Sequence, residues 1–313
     1  MRRFPAFVVA LALVFVLVAA ACGGGGGARG AFGGTNARTN VDAYRGLGTW
    51  VDVYDYVPGF QDTGKKPTVT PASVNGMKRH GVRTLYLQAA QDDRRSPGAT
   101  ITPKLVGQFL QRAHDAGLRV VAWYLPHFDD LDADVRHIRG LLDFEAGGER
   151  FDGVALDIEF RGDVSDSEQR NAALVELSKR VRDLAGDRPI GAIVLEPVLL
   201  EVVNANFWPN FPWRSIAGFY DVWLPMSYWT NRNADSGYKD GFRYTDENIR
   251  RLRSNLGSEN APVHAIGGIA DTAQAKDYDG FVRAAKQDGA IGWSIYSYDV
   301  TPRSVWPRLG GKS

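Results

Sequence analysis

From Gly46 onward, a short run rich in Val, Ile, Leu, Trp or Tyr is followed by a segment with helical start signals and a 3.6-residue period, and this alternation repeats down the chain. The apolar runs fall at 49–55, 82–88, 119–125, 152–159, 189–196, 221–228, 262–268 and 290–298. Strands that alternate strictly with helices cannot pair as hairpins, so they call for a parallel sheet covered by its crossovers. Eight such units over residues 45–311 match the size of a (β/α)8 TIM barrel, and the expected class is therefore α/β. A doubly wound open sheet is the second possibility. The absence of a Gly-rich phosphate loop after the first run, and the polar residues ending nearly every run, weigh against it.

Punctuation between the runs agrees. Thr70-Pro71 and Thr102-Pro103 place a capping threonine before a proline at the first helical position, and Thr245 precedes DENIRRLRSNLG, with acids early and arginines late. The longest helix is expected within 163–186, with Leu174, Leu177, Val181 and Leu184 on one stripe. Gly81, Gly117, Gly186, Gly257 and Gly289 stand where helices would end.

The amino terminus has a different character. A basic start, the apolar run Phe7–Val18 and Ala19-Ala20-Ala21 read as a secretory signal over residues 1–21. Cys22, the only cysteine, follows at once in a setting that resembles the lipobox of bacterial lipoproteins, although Ala19 stands where that motif usually has Leu. The resemblance implies lipidation of Cys22 and an extracytoplasmic chain anchored to the membrane. Residues 22–44, rich in Gly, Ala, Asn and Thr, hold too little apolar surface to fold and read as a flexible linker. One cysteine excludes a disulfide framework. With 37 basic against 36 acidic residues and no basic stripe, nucleic acid is not an expected partner, and a monomer is expected. His80, His114, His127, His137 and His264 are scattered without metal-ligand spacing, so neither a metal nor another cofactor is expected.

The chemistry concentrates in FDGVALDIEF, residues 151–160. It has the apolar content of a buried strand yet carries Asp157 and Glu159, and a lone carboxylate in a core costs several kcal/mol or takes up a proton. Alternation puts Gly153, Ala155, Asp157 and Glu159 on one face. In a barrel that face points inward, so the small residues occupy the crowded interior and the two acids emerge at the carboxyl-end rim, where active sites of such barrels lie. Like charges about 7 Å apart along a strand resist joint ionisation and raise one of the two pKa values. Other rim candidates are Asp52, Tyr54 and Asp55 after strand one, Gln88 and Gln91 after strand two, Tyr124 and His127 after strand three, and Glu196 after strand five. Met226, Tyr228, Trp229 and Asn231 follow strand six, Asp271 follows strand seven, and Trp293, Tyr296, Tyr298 and Asp299 belong to strand eight. Carboxylates and aromatic rings together suit carbohydrate, since rings pack on sugar CH faces and a protonated carboxyl cleaves glycosidic bonds.

DGVALDIE, Asp152–Glu159, resembles the strand-four signature DGxDxDxE of glycoside hydrolase family 18, the chitinases and their relatives. Met226-Ser227-Tyr228 resembles that family's Met-x-Tyr, and Trp293 its sugar-floor Trp. The resemblance implies Glu159 as general acid, Asp157 orienting an N-acetyl group, Tyr228 steadying an oxazolinium intermediate, and an oligo- or polysaccharide substrate. Ala155 replaces the middle aspartate, strand three lacks SxGG, and Trp229 stands where Asp or Asn is usual. The whole chain also resembles a group of actinobacterial lipoproteins.

Alternatives stay open at several positions. Asp157 and Glu159 are either a site or half of an ion-pair network with Arg83 or Arg161, and Asp152 either serves the site or forms a turn or a pair with Arg150. Trp229 and Trp293 are platforms or core, and residues 206–221 a cleft wall or a packed cap. Asp271 is the cap of the helix after strand seven or, like Glu196, the second carboxylate of a two-carboxylate glycosidase. A barrel that binds glycan without cleaving it fits the same pattern.

Overall fold

The computed structural model describes residues 40–162 and 164–310. The expected signal over residues 1–21, the expected lipidation site Cys22 and most of the expected linker over 22–44 lie outside the described residues. Eight parallel strands close in chain order: β1 Gly46–Val51, β2 Thr84–Gln88, β3 Arg119–Tyr124, β4 Gly153–Ile158, β5 Ile190–Val194, β6 Val222–Ser227, β7 His264–Gly268 and β8 Gly292–Tyr296. β8 returns to β1 with Gly46 opposite Gly292 and Gly48 opposite Ser294, which completes the barrel. The helices between them are α1 Val53–Tyr56, α2 Val74–Arg79, α3 Pro103–Asp115, α4 Leu131–Asp143, α5 Ser167–Ala185, α6 Trp213–Ile216, α7 Gly241–Leu256 and α8 Ala275–Gln287.

Gly81, Gly117, Gly186, Gly257 and Gly289 all take positive φ just past helix ends, a conformation that leaves glycine unstrained. Three starts differ from expectation. Thr102 precedes Pro103 of α3, but its side chain makes no capping hydrogen bond. Thr245 is buried inside α7, whose N-cap is Asp240; its carboxylate accepts from the Arg243 N–H at 2.7 Å and starts the helix a turn earlier. Asp52–Tyr56 does not continue β1, because the Asp52 carboxylate accepts from the backbone N–H of Tyr54 and Asp55 and turns the chain into α1.

Strand register fixes which side chains fill the barrel. Trp50 lies opposite Tyr86, Gln88 opposite Trp123, and Trp123 opposite Ala155, so these point inward together with Asp157. The Trp50 indole stacks on Tyr86 at 4.3 Å and donates to Ser294 Oγ at 2.8 Å. Below them His264 is fully buried, with Nδ1 2.7 Å from the Tyr44 carbonyl, and burial lowers its pKa to about 4, so it is a neutral packing residue. Tyr44 plugs the amino-terminal end. Its hydroxyl donates to the Val154 carbonyl at 2.8 Å and to that of Pro189 at 3.3 Å, and its ring occupies the space that a Cβ at Gly153 or Gly191 would need. Tyr44→Phe leaves two buried carbonyls without that donor. It is expected to cost about 1–2 kcal/mol, read as a melting temperature lower by roughly 4 °C.

Asp152 serves this end of the barrel. It accepts from His114 Nε2 at 2.9 Å, Arg119 at 2.9 Å and the Val120 N–H at 2.8 Å, while Arg150 pairs with Glu145 instead. Burial opposes ionisation of Asp152, but the bonds from His114 and Val120 outweigh it and hold its carboxyl below the usual range. A cavity of about 760 Å³ lies here, lined by arginines 45, 83, 119 and 150, and Arg83 is therefore at the opposite end from Glu159.

Candidate active site

The carboxyl ends of the strands form a mouth in which β4 delivers its two acids. Asp157 is the last inward residue within β4 and is 8% exposed, and Glu159 follows one residue past the strand with its side chain open to solvent. Water reaches Glu159, yet protein walls surround it closely, and this crowding raises its carboxyl above the ordinary range. Burial, followed by the charge of Glu159, pushes Asp157 well above the usual carboxylate pKa. Among the described residues neither acid has an ion pair. Arg161 donates to the Phe207 carbonyl at 2.6 Å and lies over the Phe207 ring at 3.9 Å.

Two further groups complete that side. Glu196, just past β5, is 3% exposed and accepts from the Tyr228 N–H at 3.3 Å. Burial raises it to about 7; the nearby charge of Arg232 opposes this and that of Glu159 adds to it. Tyr228, the next inward residue after Met226, is raised well above its usual value by burial and then by the charges of Glu159, Asp157 and Glu196. Met226 is buried beneath it.

Across the mouth, Tyr296 stands 6.1 Å from Tyr228, ring centre to ring centre, and donates to Asp52 Oδ2 at 2.6 Å. Asp52 is raised by burial, which outweighs the hydrogen bonds from Tyr296 and Tyr54. Asp55, 3% exposed, is raised to about 9 by burial and then by the charges of Asp52 and Asp299. Among the described residues no Lys, Arg or His forms an ion pair with Asp52, Asp55, Asp157 or Glu159.

Asp55 yields a prediction with a defined sign. Its folded pKa lies above the unfolded value of about 3.9, so the fold favours the protonated form; the stability it contributes is full below about pH 4 and is lost as pH rises through 9. Asp55→Asn, neutral throughout, is expected to raise the melting temperature by roughly 5 °C at pH 9 and by less than about 2 °C at pH 4. Equal shifts at both pH values would contradict the assignment.

Several expected site residues stand elsewhere. Trp293 lies opposite Leu47 and Ala265, the outward phase; its indole donates to the Leu309 carbonyl at 2.8 Å and Lys286 of α8 sits over its ring. Trp229 is buried against Tyr278 and Phe281 of α8. Tyr124 also points outward, donating to Asp134 at 2.7 Å. Trp293 and Tyr124 are displaced from the mouth by the two-residue period of the strand, and Trp229 by the turn of 3-10 helix that follows β6. Gln88 points inward and accepts from the Val53 N–H at 3.1 Å, while Tyr54 is 44% exposed beside Phe60. His127 lies in the loop after β3, stacked on Phe160 at 4.1 Å with an interplanar angle of 16°. Asp271 is exposed and caps nothing; α8 is capped by Gln274 with Asp277. The segment 206–221 packs as a cap, with Trp208 bonded to Asn171 and Phe211 against Trp213.

Three contributors had not been singled out. Trp123, not Tyr124, is the inward ring of β3, 6.0 Å from Trp50, and it follows from the register with Ala155. Phe160 makes the platform with His127, and Arg232 is the cation beside Glu196. The Trp123 indole N–H and Asp157 Oδ1 are both buried without a hydrogen-bond partner in the protein, on adjacent strands at the mouth. Buried polar atoms in that state are ordinarily met by water or ligand.

No family model matches the sequence, and no curated protein matches it. Solved structures do. A class V chitinase from Pseudomonas fluorescens Pf-5 is 9% identical with a TM-score of 0.58, covering 85% of this chain and 98% of its own. The spore cortex-lytic enzyme SleL of Bacillus megaterium QM B1551 is 10% identical at a TM-score of 0.55, covering 85% of this chain and 73% of its own. The endoglucanase Cel5A of Pseudomonas stutzeri is 14% identical at 0.58, covering 84% and 92%. At such identities the likeness is one of fold: the chain is a (β/α)8 barrel whose structural neighbours are chitinases and other glycoside hydrolases.

Proposed function

We propose that the protein is an extracytoplasmic glycoside hydrolase, held at the membrane through a lipid on Cys22 and acting as a monomer on a cell-surface or environmental polysaccharide. Glu159 is its general acid. The observation that carries this reading is the pair Asp157 and Glu159 at the inner end of β4, one buried and one open to water, neither in an ion pair among the described residues.

A carboxyl whose pKa is raised by its surroundings and that is reachable from solvent can donate to a glycosidic oxygen as the bond from that oxygen to the anomeric carbon breaks. Water then adds its oxygen to the anomeric carbon and its proton passes to a carboxylate, so the acid is restored over the cycle. The positive charge that develops on the sugar meets the acids and Tyr228 around it. Two ways of meeting it remain distinct. In the first, the substrate's own N-acetyl oxygen attacks, oriented by Asp157 and Tyr228. In the second, Glu196 supplies the other carboxylate. Its burial beside Glu159 and Tyr228 favours it over Asp271, which is exposed and remote in register from β4.

The fold alone does not carry the activity, since this barrel hosts many reactions. The test is incubation of the protein with aryl glycosides and cell-wall polysaccharides, with reducing ends counted. Release of product is expected; oligosaccharide binding without any product would convert the reading to a glycan-binding barrel. Acceptance of sugars lacking an N-acetyl group would select the Glu196 route.

A further inference from the structure

The cavity of about 760 Å³ at the amino-terminal end of the barrel takes no part in the proposed chemistry. Four successive strands enter the barrel beside it, each with an arginine on its wall: Arg45 before β1, Arg83 before β2, Arg119 at the start of β3 and Arg150 before β4. Acids answer part of this charge. Arg45 pairs with Asp42 at 3.2 Å, Arg119 with Asp152 at 2.9 Å and Arg150 with Glu145 at 2.6 Å. His114 answers the acids in turn, with Nδ1 2.6 Å from Glu149 and Nε2 2.9 Å from Asp152. A ring that meets a carboxylate at both nitrogens donates from both and is itself a cation.

Arg83 is different. Among the described residues neither it nor Lys78 of α2 forms an ion pair. The Arg83 stem lies across Gly46, where a Cβ would stand 2.7 Å from its Cδ, so the glycine that opens β1 leaves the room that this side chain occupies at the cavity wall. Lys78 reaches the same wall at Gly117, with its Nζ 3.4 Å from the Cβ position there. Cations gathered about one concavity in excess of its acids attract an anion. A guanidinium offers paired N–H donors in the fork that phosphate oxygens accept, and two negative charges answer Arg83 and Lys78 together where a single carboxylate would not. The volume is that of a site for a small molecule, with space for an organic frame beside the phosphate.

We infer that this cavity is a second binding site, for a phosphate ester, with Arg83 as its main ligand and Lys78 beside it. It lies at the opposite end of the barrel from Glu159 and stands whether or not the mouth cleaves glycosides. The phosphate can belong to a soluble ester or to the head group of an anionic lipid, and Asp42 on the cavity wall shows that the chain enters the barrel at this end.

Calorimetric titration of the full chain with inorganic phosphate and with glycerol 1-phosphate, at neutral pH in about 0.1 M salt, is expected to give saturable binding with Kd below about 1 mM. Arg83→Gln combined with Lys78→Gln is expected to weaken it at least about tenfold, whereas Lys104→Gln, in the first turn of α3, is expected to leave it unchanged. Phosphatidylcholine vesicles with and without phosphatidylglycerol separate the sources, since whatever the amino terminus contributes is common to parent and variant. A larger loss on the anionic vesicles than on glycerol 1-phosphate assigns the lipid, and the reverse assigns a soluble ester. The Arg83 Nε–H resonance of the parent chain is expected to shift as phosphate is added, a measurement that needs no variant to fold. No saturable binding of phosphate up to about 10 mM, an Arg83 resonance that does not move, or an equal loss in Lys104→Gln would each overturn the inference.

Discussion

Replacing Glu159 by Gln is expected to lower kcat on an accepted glycoside by about 10³-fold with KM little changed, because the proton for the leaving oxygen is lost and the shape of the mouth is kept. The pH dependence follows from the same group. Its pKa is raised by crowding in the mouth, so the working protonated form persists to higher pH than an ordinary glutamic acid allows, and the rate falls on the alkaline side as Glu159 ionises. An unperturbed carboxyl, ionising near about 4.3, would have lost the rate well before neutrality. Activated aryl glycosides, whose leaving groups need less protonation, are expected to lose less in the variant than unactivated ones. A Glu159→Gln enzyme within about tenfold of the parent on an unactivated substrate would remove Glu159 from the role.

The largest structural effect is expected at a glycine remote from the mouth. A Cβ on Gly241, at the start of α7, would stand 2.9 Å from the Asp277 carbonyl carbon and 3.1 Å from its Cα, and closer still to its oxygen. These are backbone atoms of α8, so no rotamer change relieves them, and a Cβ on Gly280 would likewise stand 2.9 Å from the Phe242 backbone nitrogen across the same crossing. The two helices approach through that pair of glycines. Gly241→Ala is expected to destabilise by about 3 kcal/mol, a melting temperature lower by roughly 9 °C, because the helices must separate. Gly218→Ala serves as the control, since nothing lies within 4 Å of its Cβ position, and a change of less than about 1 °C is expected there. Equal losses at both positions would show that helix proximity is not the cause.

The barrel was legible because its signals are repeated and local. Eight apolar runs separated by capped helices admit few topologies, and the five glycines read as helix ends adopt the left-handed conformation that those ends require. The inward place of Asp157 was legible for the same reason, since alternation puts it on the face of Gly153 and Ala155, and Glu159 follows one residue past the end of β4. What failed was phase. Trp293 and Tyr124 each sit one residue away from the inward position, and a one-residue step on a strand moves a ring from the mouth to the helical layer, where the turn of 3-10 helix after β6 also places Trp229. Phase on one strand is fixed by pairing with its neighbours, which residue composition does not reveal. Had β3 been placed in register with β4, Trp123 opposite Ala155 would have been chosen over Tyr124. Asp271 failed by competition, because Gln274 with Asp277 made the cap that a single Asp before the helix had suggested.

The proposed activity depends on a Glu159 carboxyl raised above the ordinary range in a mouth open to sugar. Carbon-13 NMR of the protein with labelled glutamate carboxyls, assigned by the signal lost in Glu159→Gln, measures this directly as pH is varied with and without oligosaccharide. The account predicts a resonance that titrates above the ordinary glutamate range and shifts when glycan is added. A resonance that titrates near about 4.3 and ignores every glycan offered would contradict it.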